Sequence, residues 1–197
     1  VATNNTGTAT LATINASATA YGCSSPAVNF TISVKPTPDV LQPANQALCS
    51  GIKTSAISFN GAVSGTQYNW TNTNNSIGLV ASGTDNIGSF TAVNNTTTPQ
   101  TATIVVSPDA SGCPGNTKSF TITVNPVPTI VQPANQVLCS NNSSSPVVLT
   151  GSLTTATFNW TNSNPLIGLN ATGTGNIASF VATNNTGTAT LATINAS

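Results

Sequence analysis

The sequence repeats itself without a gap. Sliding it by 90 places aligns Cys23 with Cys113, Phe30 with Phe120, Cys49 with Cys139, Trp70 with Trp160 and Phe90 with Phe180, and roughly half of the aligned positions are identical. QPANQ stands at 42–46 and again at 132–136, and NWTN at 69–72 and 159–162. A second shift, of 180 residues, gives complete identity over its overlap: VATNNTGTATLATINAS fills both 1–17 and 181–197. Self-similarity at a fixed period means that one structural unit is used more than once. The simplest account is a window of two 90-residue repeats plus 17 residues, cut from a longer tandem array whose larger period is 180. The chain begins at Val1, without an initiator Met or a signal peptide, as an internal segment would. The repetition also fits a second account, in which each chain is a subunit that completes its neighbour with a donated strand.

The hydrophobic pattern within each repeat has period two. Phe120, Ile122 and Val124 alternate with Thr121 and Thr123, and Ala102, Ile104 and Val106 alternate with Thr103 and Val105, which predicts half-buried strands. Further strands are expected at 56–60, at 67–72 with Tyr68 and Trp70 on one face, and at 87–93, each bounded by Gly, Asn, Ser or Pro. No segment carries helical periodicity. About seven strands in about 90 residues, with a tryptophan near the third, is the pattern of an immunoglobulin-like β-sandwich. The fold class expected is therefore all-β: tandem sandwich repeats forming an elongated rod.

Proline marks the joints. VKPTP at 34–38 and VNPVP at 124–128 follow the strongest strand of each repeat, where Pro36, Pro38, Pro126 and Pro128 would end pairing and stiffen the connection. Cutting there leaves the C-terminal strands of one repeat (1–36), a complete repeat (37–126), and a further repeat lacking its last strand (127–197). In an array, the continuing chain would supply that strand and cover the ladder edge left open. Trp70, Trp160, Phe90, Phe180 and Phe120 are the expected core anchors.

Composition limits the chemistry. The chain has three Lys, three Asp, and no His, Arg, Glu or Met, and its net charge is zero. Ser, Thr and Asn make up 83 of the 197 residues, so the surface is hydrated by hydroxyls and amides. A Ser or Cys nucleophile has no base, and no Asp recurs in the other copy, since Asp39, Asp85 and Asp109 align with Thr129, Gly175 and Thr19. No enzyme activity, no repeated metal site and no cofactor is expected. Lys-Asn isopeptide crosslinks are not expected either, because Lys35, Lys53 and Lys118 align with Asn125, Ser143 and Val28. No basic footprint points to nucleic acid or anionic lipid, and no apolar run approaches the roughly 18 residues of a membrane helix.

Each repeat carries one cysteine in LCS (Cys49, Cys139) and one in a glycine turn (Cys23, Cys113). One bridge per domain is expected. Cys49 to Cys113 stays inside the complete repeat, whereas Cys113 to Cys139 crosses a boundary beyond a final strand about 23 Å long. Cys23 and Cys139 would then pair outside the segment. Closing such a loop is worth roughly 4 kcal/mol and implies an oxidising, extracellular setting. The alternative is four free thiols; zinc lacks ligands.

Asn-x-Ser/Thr sequons at Asn15, Asn69, Asn94, Asn159 and Asn170 arise readily from so much Asn and Thr. Trp70 and Trp160 could stack on sugars, but the alternation that buries Tyr68 and Phe158 points them into the core. Outward threonine rows serve β-propensity and solubility first, and could contact glycans.

The joint NPVP at 125–128, NQxLCS at 45–50 and 135–140, YNWTN or FNWTN ending at Asn72 and Asn162, IGLxAxGTxNI at 77–87 and 167–177, and SFTITV at 119–124 together resemble one family. It is the PKD-like, immunoglobulin-type tandem repeats of giant Bacteroidota cell-surface proteins, including the SprB-type gliding adhesins. The resemblance implies export by a type IX secretion system, an extracellular location on the bacterial surface, and a filament or stalk that supports adhesion or gliding motility. Its partners would be adjacent repeats of the same chain, and surface glycans or other filaments. Two other functions compete with a structural shaft: multivalent, low-affinity glycan-binding or surface-binding repeats, and short subunits polymerised by strand exchange.

Overall fold

The computed structural model describes residues 1–4 and 6–197. The chain is all-β and divides into two compact units, Val1–Pro126 and Val127–Ser197.

The first unit opens with a hairpin of β1 (Thr10–Ala16) and β4 (Val28–Val34), paired antiparallel from Thr10 opposite Val34 to Ala16 opposite Val28. At its tip, β2 (Thr19–Ala20) meets β3 (Cys23–Ser24) through Tyr21 and Gly22, whose φ of 49° and 80° make the primed turn that suits twisted strands. The apolar face of this hairpin is uncovered.

The rest of the first unit is a two-layered sandwich. Its main sheet joins β5 (Gln46–Cys49), β10 (Lys118–Asn125), β8 (Gln100–Ala110), β6 (Gln67–Asn72) and β7 (Ser82–Thr84) in that spatial order, with β9 (Cys113–Pro114) folded back on β8. All pairs are antiparallel except β5 with β10, which run parallel. Alternation turns Ala102, Ile104 and Val106 of β8, Phe120, Ile122 and Val124 of β10, and Tyr68 and Trp70 of β6 toward one buried layer. Each buried Val, Ile or Phe side chain among them contributes about 1.5–3 kcal/mol by leaving water.

The facing layer contains Ile57, Phe59, Ile87 and Ala92, with Ile77 of a 3-10 turn at Asn75–Ile77 and Leu79 just after it. Phe59 lies between Tyr68 and Phe120, at ring separations of 5.9 and 6.4 Å. The strands expected at 56–60 and 87–93 form only isolated bridges, Lys53 with Thr91 and Ile57 with Ile87. Side chains take the amides a ladder would use: Phe90 N donates to Thr54 Oγ1 at 3.1 Å, and Phe59 N to Asn86 Oδ1 at 2.8 Å.

The second unit repeats this plan in part. β11 (Asn159–Asn162) pairs with β12 (Thr172–Thr174) and β13 (Ile194–Ala196) over a core of Leu149, Trp160 and Ile177. Residues 136–139, which align with β5, belong to no ladder.

Candidate functional site

Among the described residues, no group of three or more His, Cys, Asp or Glu lies close enough to hold a metal ion. Three of the six charged side chains have hydrogen-bond partners on the backbone. Lys35 Nζ donates to Ser111 O at 2.7 Å, Asp39 Oδ1 accepts from Ala62 N at 2.7 Å, and Asp109 Oδ1 accepts from Gly112 N at 3.1 Å. Asp85 has a φ of 57°, and its counterpart Gly175 has one of 68°; both occupy the left-handed region that Asp tolerates and Gly adopts freely.

The most constrained feature is the joint between the N-terminal hairpin and the sandwich of the first unit. Pro36 and Pro38 are buried there, while Pro126 is half-buried and Pro128 exposed. Two glycines receive the joint backbone: a Cβ on Gly115 would lie 1.9 Å from Pro38 O, and one on Gly61 2.1 Å from Asp39 O. No side chain fits at either position. Tyr68 packs beneath, and burial, followed by the charge of Asp39, raises its hydroxyl pKa above the ordinary value, against a hydrogen bond to Thr66 that lowers it.

A loop beside each joint holds the end of the preceding strand. Asn94 Nδ2 donates to Thr98 O at 2.8 Å and to Val124 O at 2.7 Å, and Thr96 Oγ1 donates to Asn94 Oδ1 at 2.8 Å. Asn4 repeats this with Thr8 O at 2.8 Å and Val34 O at 2.6 Å. The Asn94 sequon is therefore a fold element: both amide hydrogens are engaged and the side chain is buried. A composition this rich in Asn and Thr accounts for many such sequons, but the recurrence of NNT at 4–6, 94–96 and 184–186 marks a structural loop.

Trp70 and Trp160 are buried, each with its indole Nε1 unpartnered, and Phe120 is buried with them; Phe90 and Phe180 are half-buried against their cores. The Trp rings lie on glycine: a Cβ on Gly83 would sit 2.3 Å from Trp70 Cζ2, and one on Gly173 2.1 Å from Trp160 Cζ2. These glycines, inside the repeated IGLxAxGTxNI motif, are the residues that the sequence displayed but that period-two reasoning passed over.

The expected Cys49–Cys113 bridge is not formed; all four cysteines are free. Strand direction is the reason. Because β5 runs parallel to β10, Cys49 lies opposite Asn125, whereas Cys113 pairs with Ala110 at the other end of β8. About ten strand residues, roughly 30 Å, separate those ends, against the ~7 Å between Cα atoms that a disulfide tolerates.

The second unit contains a groove of about 790 Å³, bordered by residues 130–138 on one side and 189–196 on the other, with Leu149, Leu169, Ile177 and Phe180 at its floor. Among the described residues, no helix is long and apolar enough to cross a membrane.

No family model matches the chain, and no curated protein matches it. Among solved structures, it is similar to DIP-gamma IG1+IG2, at 9 % identity and a TM-score of 0.43, over 82 % of this chain and 95 % of that one. It is also similar to the FN1–FN3 domains of chicken CNTN1, at 13 % identity and a TM-score of 0.30, over 86 % and 66 %. The sandwich assignment rests on the strand order and the buried faces described above.

Proposed function

We propose that this chain is a structural segment of a long extracellular stalk, in which sandwich repeats joined through proline hold adhesive parts of a bacterial surface protein away from the cell. The observation that carries this reading is the joint of the first unit, where Pro36 and Pro38 are buried and Gly61 and Gly115 leave no clearance. Such a contact resists bending better than a free linker of the same length. A glycan-binding array is supported less: Tyr21 is fully exposed, but its repeat counterpart is Ser111, so no outward aromatic recurs at the repeat spacing. Bacteroidota origin, type IX export and a part in gliding belong to this proposal on the strength of the repeat motifs. Small-angle scattering tests it. A compact domain of this length would have a radius of gyration of about 16 Å. A stalk segment gives a clearly larger value that falls when Pro36 and Pro38 are replaced by Gly; a wild-type value near the compact figure overturns the reading.

A further inference from the structure

We infer that Asn60 is a self-modifying site: its carboxamide closes onto the amide that follows it, and the products loosen the joint between the hairpin and the sandwich of the first unit. The inference deepens the stalk reading, on which its meaning rests, by giving one kind of joint a limited lifetime.

The chain has 26 asparagines, and only Asn60 is followed by glycine. Glycine has no Cβ to obstruct the approach of a neighbouring group to its backbone nitrogen. The fold leaves the reacting groups free. Asn60 and Gly61 are both exposed, and among the described residues neither the Asn60 carboxamide nor the Gly61 amide has a hydrogen-bond partner. The loop is held on either side of them, where Phe59 N donates to Asn86 Oδ1 at 2.8 Å and Ala62 N to Asp39 Oδ1 at 2.7 Å.

The reaction needs only water. The Gly61 nitrogen loses its proton to solvent base and attacks Asn60 Cγ; the new N–Cγ bond closes a five-membered succinimide while the Cγ–Nδ2 bond breaks and ammonia leaves with a proton from water. Water then opens the ring at one of its two carbonyls. Opening at Cγ gives aspartate. Opening at the former backbone carbonyl gives isoaspartate, in which the main chain runs through Cβ and Cγ and is one atom longer.

The joint has no room for that atom. Asn60 O accepts from Leu41 N at 2.8 Å, and a Cβ on Gly61 would lie 2.1 Å from Asp39 O, 2.7 Å from Asp39 Oδ1 and 2.9 Å from the Tyr68 hydroxyl. Isoaspartate turns the accepting carbonyl into a carboxylate on a branch and shifts Gly61 out of its cradle. Either product also adds a negative charge next to the glycine that Asp39 abuts, and like charges repel. The second repeat supplies the control. There Val131 N donates to Thr150 O at 2.8 Å and a Cβ on Gly151 would lie 2.0 Å from Thr129 O, the same cradle, but Thr150 carries no carboxamide.

The test is ageing of the full chain in warm, mildly alkaline buffer, followed by peptide mapping with an isoaspartate assay. The expected result is conversion of Asn60 at least tenfold faster than of any other asparagine. Asn60→Gln, which replaces an exposed and unbonded side chain and whose ring closure needs one atom more, should resist. Hydrogen exchange at Leu41 and Ala62 should be at least tenfold faster in the isoaspartyl chain than in the fresh chain, and unchanged in aged Asn60→Gln. An Asn60 that keeps its amide as long as the other asparagines do, or isoaspartate that leaves exchange at Leu41 and Ala62 unaltered, overturns the proposal. Neither readout depends on how extended the chain is, so a compact scattering value would remove the stalk reading and leave this site standing.

Discussion

Residues 46–49 and 136–139 read QALC and QVLC, and the same Gln–Ser bonds hold both, yet one is a strand and the other is not. In the first unit, β10 pairs with the segment from Gln46 to Cys49, Leu48 packs on the core, and Val40 is buried. In the second unit the ladder is missing, Val137 is 97 % exposed, and Val40's counterpart Ile130 is exposed. Local sequence is nearly constant across the pair, so the last strand of the repeat creates the first. The two strands lie about 75 residues apart in the chain, a long-range pairing whose loop-closure entropy must be met before the contact forms.

The largest effect expected from breaking this comparison is at Phe120. Phe120→Ala should destabilise the first unit by about 3–5 kcal/mol, through lost transfer energy and the cavity left between β5 and β8. Chemical denaturation should show it as a lowered midpoint, with residues 46–49 losing exchange protection until they resemble 136–139. A smaller effect separates two copies of one loop. Asn94→Ala leaves Val124 O without its buried donor and should cost about 1–3 kcal/mol, whereas Asn184→Ala, at an exposed side chain bonded only within its loop, should change stability by under ~0.5 kcal/mol. Thermal unfolding of the two variants side by side measures the difference.

Much of the fold was legible because half-buried strands declare themselves by alternation. β6 spans Gln67–Asn72, the segment that the pattern indicates, and the alternation at 102–106 and 120–124 falls inside β8 and β10. The facing layer was legible as apolar segments but not as to pairing, because the side-chain oxygens of Thr54 and Asn86 accept from the backbone amides of Phe90 and Phe59. The cysteine pairing failed on strand direction. Residue spacing shows that Cys49 and Cys113 share a repeat, but not that β5 runs parallel to its neighbour and carries Cys49 to the far end. The joint was legible at its prolines and silent at Gly61 and Gly115, whose meaning depends on backbone that approaches from elsewhere in the chain.

The central claim is that the closing strand of a repeat organises its opening strand, and native-state hydrogen exchange on the wild-type chain tests it most directly. Kept dilute, so that chains stay apart, Leu48 and Cys49 should exchange at least a hundredfold more slowly than Leu138 and Cys139. Equal protection at the two pairs would contradict the account, because it would mean that the opening strand forms without its partner.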